Sequence, residues 1–164
     1  MSQDNCPECG APVAGGRAGC QALWDEMSAR AYTSPDYAVT RDLAFDAYCM
    51  QHPERYCRSA KSYAAHLTRL CCGLDYGGDP GVYSAIQKWL NGAVDIVKPK
   101  SPGSRGAMTV ADLRAARTGQ EHTRLVRDWA TSVWKAYAAQ QDIARSWIRA
   151  ALGGKDIASS PKEK

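Results

Sequence analysis

Leu125-Val-Arg-Asp-Trp129-Ala-Thr-Ser-Val133-Trp134-Lys-Ala-Tyr137 carries the clearest periodicity in the chain. Large apolar side chains recur every three or four residues, the spacing that gathers them on one face of an α-helix. The stripe continues through Ile143, Trp147, Ile148 and Leu152, and Gly153-Gly154 ends it. The span from about Glu121 to Leu152 therefore reads as one helix of roughly eight turns at 3.6 residues per turn. A stripe of that length needs a continuous apolar surface opposite, so the rest of the chain must supply helices with matching faces. A helix this long can also outrun a small domain. That leaves a homodimer contact around Trp147 and Ile148 as an alternative use of its far end.

The matching faces are present upstream. Leu23, Trp24, Met27 and Tyr32 follow Cys20 at helical spacing, and Ser34-Pro35 stops that helix. A second helix, from about Pro35 to Gln51, carries Tyr37, Leu43, Ala44, Ala47, Tyr48 and Met50. It ends at His52-Pro53, because the residue before a proline disfavours the helical conformation. A third runs from near Ser59 to about Leu74, with Tyr63, His66, Leu67 and Leu70 on one side and Gly77-Gly78 closing it. Asp79-Pro80 joins an N-cap to a first-turn proline ahead of a short helix bearing Val82, Ile86, Trp89 and Leu90. Residues 93–108, rich in proline and glycine, read as a short extended piece (Val94 to Val97) and an exposed basic loop. Thr109-Val-Ala-Asp112 is a capping-box variant that opens a short helix to about Arg117.

There is no internal repeat and almost no strand pattern. The fold class is all-α: a compact bundle of five or six helices forming one domain over residues 1–152. Residues 1–20 are its N-terminal knuckle, and 153–164 are a charged tail expected to be disordered. The 164 residues suffice for one domain that buries about two-thirds of its unfolded surface.

The formal net charge of +4 is mild. Lys98, Lys100 and Arg105, with Arg114 and Arg117, could touch phosphates but lack interleaved aromatics, so nucleic acid is not the expected partner. No run of about 18 apolar residues is present, which argues against a membrane span. The first 20 residues hold no apolar stretch of the kind a secretory signal needs. The seven cysteines are an odd number, which suits reduced thiols and a metal better than a disulfide scaffold and makes the cytoplasm the expected compartment.

The cysteines are not scattered evenly. Cys6-Pro-Glu-Cys9-Gly10 places two thiols two residues apart with a glycine behind the second, and Cys20 follows. Such a turn aims both sulfurs inward and makes half of a tetrahedral zinc site. The expected fourth ligand is His52, at the corner where the second helix ends; Cys49, Cys57 and His66 are its competitors. A redox role for the Cys-x-x-Cys pair fits poorly, since no strand precedes it. A second constellation is Asp46, Cys49, Gln51, His52 and His66. Across two antiparallel helices His66 should meet Asp46 or His52. Such a pair would be a clamp that orients a metal ligand, an acid/base pair at an alternative site, or a buried polar network that pins the helices together. His122, in the first turn of the last helix, reads as exposed. The adjacent Cys71 and Cys72 diverge by about 100° around a helix and read as small buried apolar residues.

Taken together, these residues resemble a family of small bacterial proteins known only as a domain of unknown function. Its blocks appear here as Cys6-Pro-Glu-Cys9-Gly10, Gly19-Cys20, Asp46-Ala-Tyr48-Cys-Met-Gln51-His52-Pro53, Ser62-Tyr-Ala-Ala-His66-Leu67, Thr109-Val-Ala-Asp112 and Trp129-Ala-Thr-Ser-Val133-Trp134. The resemblance covers nearly the whole chain. It implies a zinc site and no established activity. Members often carry a His-His pair where this chain has Gln140-Gln141, which counts against a second metal site and against an enzyme.

The reading that follows is a cytoplasmic zinc-binding helical protein. Cys6, Cys9, Cys20 and His52 would hold a structural Zn2+, and the protein would act as an interaction or accessory protein. The runner-up is a metal-dependent enzyme or small-molecule binder using Asp46, His52 and His66 with a metal-bound water. A nucleic-acid-binding zinc protein is third. The residues identify neither substrate nor partner and leave open whether the chain is an enzyme.

Overall fold

A computed structural model describes residues 4–154. Within them the chain forms helices α1 (Gly16–Ala29), α2 (Pro35–Ala38), α3 (Arg41–Gln51), α4 (Pro53–Tyr56), α5 (Ala60–Asp75), α6 (Pro80–Asn91), α7 (Gly119–Ala136) and α8 (Gln141–Ala151). Six of these have eleven or more residues; α2 and α4 are single turns. No strand occurs among the described residues, and the one β-bridge joins Asn5 to Pro12 in the knuckle. The expected tail beyond Gly154 lies outside the described residues. No described helix is long and apolar enough to cross a membrane.

Local chemistry sets the helix boundaries. Ser59 and Ser62 form a reciprocal capping box at the start of α5. Asp79 Oδ1 accepts from the N–H groups of Gly81 and Val82 at the start of α6, with Pro80 in the first turn. The Thr109–Asp112 box also forms, with Asp112 Oδ2 accepting the Thr109 N–H at 2.7 Å. It opens a six-residue 3-10 helix, Val110–Ala115, instead of an α-helix.

Helix α3 is the centre of the fold. It packs against α5 on one side and α7 on the other, while α5, α6 and α8 pack against one another. Tyr48, Met50, Tyr63, Leu67, Leu70, Trp129 and Tyr137 are among the large side chains removed from solvent. Two predicted helices are interrupted. The one expected from Pro35 to Gln51 breaks at Val39-Thr40. The long C-terminal helix breaks at Tyr137, whose ψ of 23° leaves the helical range, and a 3-10 turn at Ala138–Gln140 follows.

Side chains hold this second break in place. The Tyr137 hydroxyl donates to the Met50 carbonyl, and Gln140 accepts from the Tyr63 hydroxyl while its amide donates to the Lys100 carbonyl. Gln141 Nε2 donates to the Trp134 carbonyl and satisfies an end of α7. A straight helix over residues 121–152 would be about 48 Å long, against a radius of gyration of about 15 Å for a domain this size. Folding α8 back onto α5 and α6 buries Trp147 and Ile148 in the core.

The loop between α6 and the 3-10 helix contains no strand at Val94–Val97, and two of its basic residues, Lys98 and Arg105, bind the protein itself. Lys98 Nζ donates to the Arg58 carbonyl, and Arg105 reaches Glu54 and the Gln51 carbonyl. Gln51 fastens the far end of the loop from below. It is fully buried, donates to the carbonyls of Arg105 (3.0 Å) and Met108 (2.7 Å), and accepts from Trp129 Nε1 at 2.9 Å.

Candidate metal centre

The knuckle is built by short-range backbone bonds. The Cys6 N–H donates to the Ala11 carbonyl, and the Gly10 N–H donates back to the Cys6 carbonyl. Gly10 sits at φ +79°, a left-handed conformation that costs glycine little. The Ala11 N–H faces the Cys9 sulfur, a bond that favours its thiolate. The chain then enters α1, which presents Cys20 in its second turn. Gly19 is required there by contact: a Cβ at this position would lie 1.9 Å from the Ala14 carbonyl oxygen. The absence of that one methyl group lets the knuckle fold down onto α1 and brings Cys20 beside Cys9.

His52 comes from the corner between α3 and α4, with Pro53 in the first turn of α4. Its Nδ1 is 2.7 Å from the Tyr48 carbonyl oxygen, which fixes the ring and turns Nε2 toward the sulfurs. This backbone bond on the far nitrogen is the usual way a ligating imidazole is oriented. The Tyr48 ring packs on it at a tilt of 37°, with centroids 4.1 Å apart, and Trp24 stacks on Tyr48 at 4.6 Å.

One ligand atom from each of Cys6, Cys9, Cys20 and His52 lies within 4.8 Å of all the others, so the four together could hold a metal ion. Cys9 Sγ is 3.7 Å from Cys20 Sγ; His52 Nε2 is 3.5 Å from Cys20 Sγ and 3.8 Å from Cys6 Sγ. Cys6, Cys20 and His52 are buried, and Cys9 is partly so. All seven cysteines are free, and no sulfur pair in the cluster is at disulfide distance. With protons as the only cations, the thiols conflict. The hydrogen bond from Cys9, then His52, pulls Cys20 down to about 4, while the same bond and burial push Cys9 far up. A bound cation would let all the thiolates ionise together, as metal ligation requires.

The knuckle is also clamped from outside. Glu8, between the paired cysteines, is almost wholly buried and lies 3.2 Å from both Arg17 Nε and Arg55 Nε. Arg105 Nη1 donates to the Glu8 carbonyl, Arg114 Nη2 donates to the Pro12 carbonyl, and Arg55 also donates to the Tyr48 hydroxyl. Sequence reasoning missed this clamp. Arg105 and Arg114 lie about a hundred residues from the groups they hold, and no local pattern connects them.

Asp46 and His66 meet as expected, with His66 Nδ1 at 2.9 Å from Asp46 Oδ1. Arg69 Nε adds bonds to both carboxylate oxygens at 3.2 Å. Burial pushes the Asp46 carboxyl up against the pull of His66 and Arg69. This cluster joins α3 to α5. Among the described contacts neither Asp46 nor His66 touches the Cys6–Cys9–Cys20–His52 group. The competing ligands are elsewhere too: Cys57 Sγ lies by the Cys49 carbonyl and the Met50 sulfur. Burial pushes the thiol of Cys49 up, and those of Cys57, Cys71 and Cys72 up to about 12, so these four are neutral thiols packed as small apolar groups.

His122 departs from its reading as an exposed residue. It is buried on α7, its ring 4.9 Å from that of Tyr37. The signal was present in the sequence, because residues 122, 126, 129 and 133 form one unbroken helical stripe with His122 at its head.

No curated protein and no solved structure matches the chain. A family model does match it, over residues 4–138, a span that contains the knuckle, all four candidate ligands and the Trp129–Trp134 helix. The chain belongs to that family, described as a family of unknown function, DUF5946.

Proposed function

We propose that Cys6, Cys9, Cys20 and His52 bind one structural Zn2+ and that the domain so stabilised acts as a cytoplasmic interaction or accessory protein. The observation that carries this reading is the spacing of the ligand atoms. Tetrahedral zinc with Zn–S bonds of about 2.3 Å and a Zn–N bond of about 2.0 Å has S···S edges of about 3.8 Å and S···N edges of about 3.5 Å. The separations here are 3.7 Å between the Cys9 and Cys20 sulfurs, and 3.5 and 3.8 Å from His52 Nε2 to the sulfurs of Cys20 and Cys6. Three soft sulfurs and one imidazole suit zinc, and four protein ligands leave no open position for a water or a substrate. The ion would supply cross-linking: it would tie the N-terminal knuckle, the start of α1 and the end of α3 into one unit. Seven free thiols fit a reducing compartment.

The catalytic alternative needs Asp46, His52 and His66 to converge on an open metal position. Both His52 ring nitrogens are engaged, Nδ1 with the Tyr48 carbonyl and Nε2 with the cysteine sulfurs, and Asp46 is engaged with His66 and Arg69. The nucleic-acid reading loses support for a similar reason, since Arg105 and Arg114 hold the knuckle.

The test is removal of the metal. Cys9→Ser and chelation of the wild-type protein should both lower the melting temperature sharply, because the binding free energy of such sites is folding free energy, on the order of 10 kcal/mol in peptide models. A chelated protein with unchanged melting and lost catalytic turnover would favour the enzyme.

A further inference from the structure

Six of the seven cysteines are buried to 1% exposure or less, and Cys9 alone is only partly buried. Building on the zinc reading above, we propose that Cys9 is an oxidation site for hydroperoxides. Its oxidation joins it to Cys20 in a disulfide and releases the ion.

Three considerations carry the proposal. The first is access. Cys6, Cys20 and His52 are sealed from solvent, so Cys9 is the one ligand a small oxidant can meet. Its neighbour Gly10 is exposed, and a Cβ on Gly10 would meet nothing within 4 Å, so the approach beside Cys9 is open. The second is a partner already in place. The Cys20 sulfur is 3.7 Å from that of Cys9, and an S–S bond of about 2.05 Å asks the two to close by about 1.7 Å. The third is chemical form. A ligated thiol is held as thiolate, the form that reacts with a peroxide, and an accessible thiolate beside a second cysteine is the usual arrangement of a redox-sensing pair. Cys49, Cys57, Cys71 and Cys72 have neither the access nor the ionised form.

With hydrogen peroxide, the Cys9 thiolate attacks one oxygen, the O–O bond breaks, hydroxide leaves, and Cys9 becomes a sulfenic acid. The Cys20 thiolate then attacks the Cys9 sulfur. The S–O bond breaks, a second hydroxide leaves, and the disulfide forms. The two sulfurs have given up two electrons, the two peroxide oxygens have taken them, and protons from solvent turn both hydroxides into water. Cys6 and His52 are left, two ligands where a structural zinc needs four. The disulfide keeps the knuckle on α1, while the tie to His52 at the end of α3 is lost. A reducing thiol with added zinc reverses the change.

The experiment treats the full-length, zinc-loaded protein with hydrogen peroxide. Released zinc is followed with a chromogenic chelator, and every cysteine is mapped by peptide mass spectrometry without reduction. The expected result is about one zinc released for every two thiols lost, with Cys9 joined to Cys20 and the other cysteines unchanged. Dimedone present during the oxidation should label Cys9 and not Cys20, and dithiothreitol with zinc should return the full metal content. The proposal is overturned if zinc and thiols stay intact at a peroxide concentration that fully oxidises free glutathione. It is overturned equally if dimedone marks another cysteine first, or if zinc leaves without a Cys9–Cys20 disulfide. Metal content measured before peroxide is added keeps the two readings apart: a folded protein that never held zinc overturns the metal reading itself, whereas a zinc protein inert to peroxide overturns only this one.

Discussion

Replacing Gln51 by leucine tests how the metal corner is joined to the rest of the fold. Gln51 precedes the candidate ligand His52 and makes three hydrogen bonds, of 3.0 Å to Arg105 O, 2.7 Å to Met108 O and 2.9 Å from Trp129 Nε1. Leucine conserves size and makes none of them. The Trp129 indole N–H is fully buried, so leaving it unpaired costs about 1–3 kcal/mol. The two part-buried carbonyls each lose a net contribution of about 0.5–1.5 kcal/mol. Better burial of the leucine returns about 1 kcal/mol, which leaves a net loss near 3 kcal/mol. That is a large share of the 5–15 kcal/mol typical of a domain. The assay is urea unfolding of the metal-loaded protein, with metal content measured for each variant. Trp129→Phe removes the orphaned donor, so in the double variant the two losses should sum to about 1–2 kcal/mol more than is observed. Strict additivity, or a loss below about 0.5 kcal/mol for Gln51→Leu, would refute the reasoning.

Gly19→Ala should cost about 2 kcal/mol or more and weaken metal retention, because its methyl group would meet the Ala14 carbonyl oxygen at 1.9 Å, whereas Gly103→Ala, with open space around it, should stay within about 0.5 kcal/mol by the same unfolding assay. Trp147→Glu puts a charge at a core position and should leave no folded protein in circular dichroism and light scattering; a folded variant would return Trp147 to the surface. His122 makes stability pH-dependent: its imidazole is held below the ordinary 6.5 by burial and then by Arg30, with Tyr37, Arg41 and Asp42 also near it. A depressed histidine contributes stability above its unfolded value and loses it as pH falls, because only the unfolded chain takes up the proton. The wild type should therefore lose more stability than His122→Phe between pH 7.5 and 5.5, and parallel curves would contradict this.

Features carried by adjacent residues were the ones legible in the sequence. The capping signals at Asp79 and Thr109 act over three or four residues, and both form. The grouping of Cys6, Cys9, Cys20 and His52 was legible because ligand chemistry narrows the choice to a few soft side chains at bends. The break at Tyr137 was not. Positions 133, 137, 140, 144 and 148 stay in phase across it, since periodicity reports which face is buried and not whether the axis is straight. The partners that make the break, Met50, Tyr63 and Lys100, come from distant segments. The arginine clamp on Glu8 was hidden for the same reason: it exists only where three or more elements meet.

X-ray absorption spectroscopy at the zinc edge on the purified protein, with metal stoichiometry measured on the same sample, tests the central claim most directly. The account predicts about one zinc per chain, bound by three sulfurs at about 2.3 Å and one nitrogen at about 2.0 Å, with no oxygen ligand. A folded protein without metal, or a zinc with two sulfurs and a bound water, would contradict it.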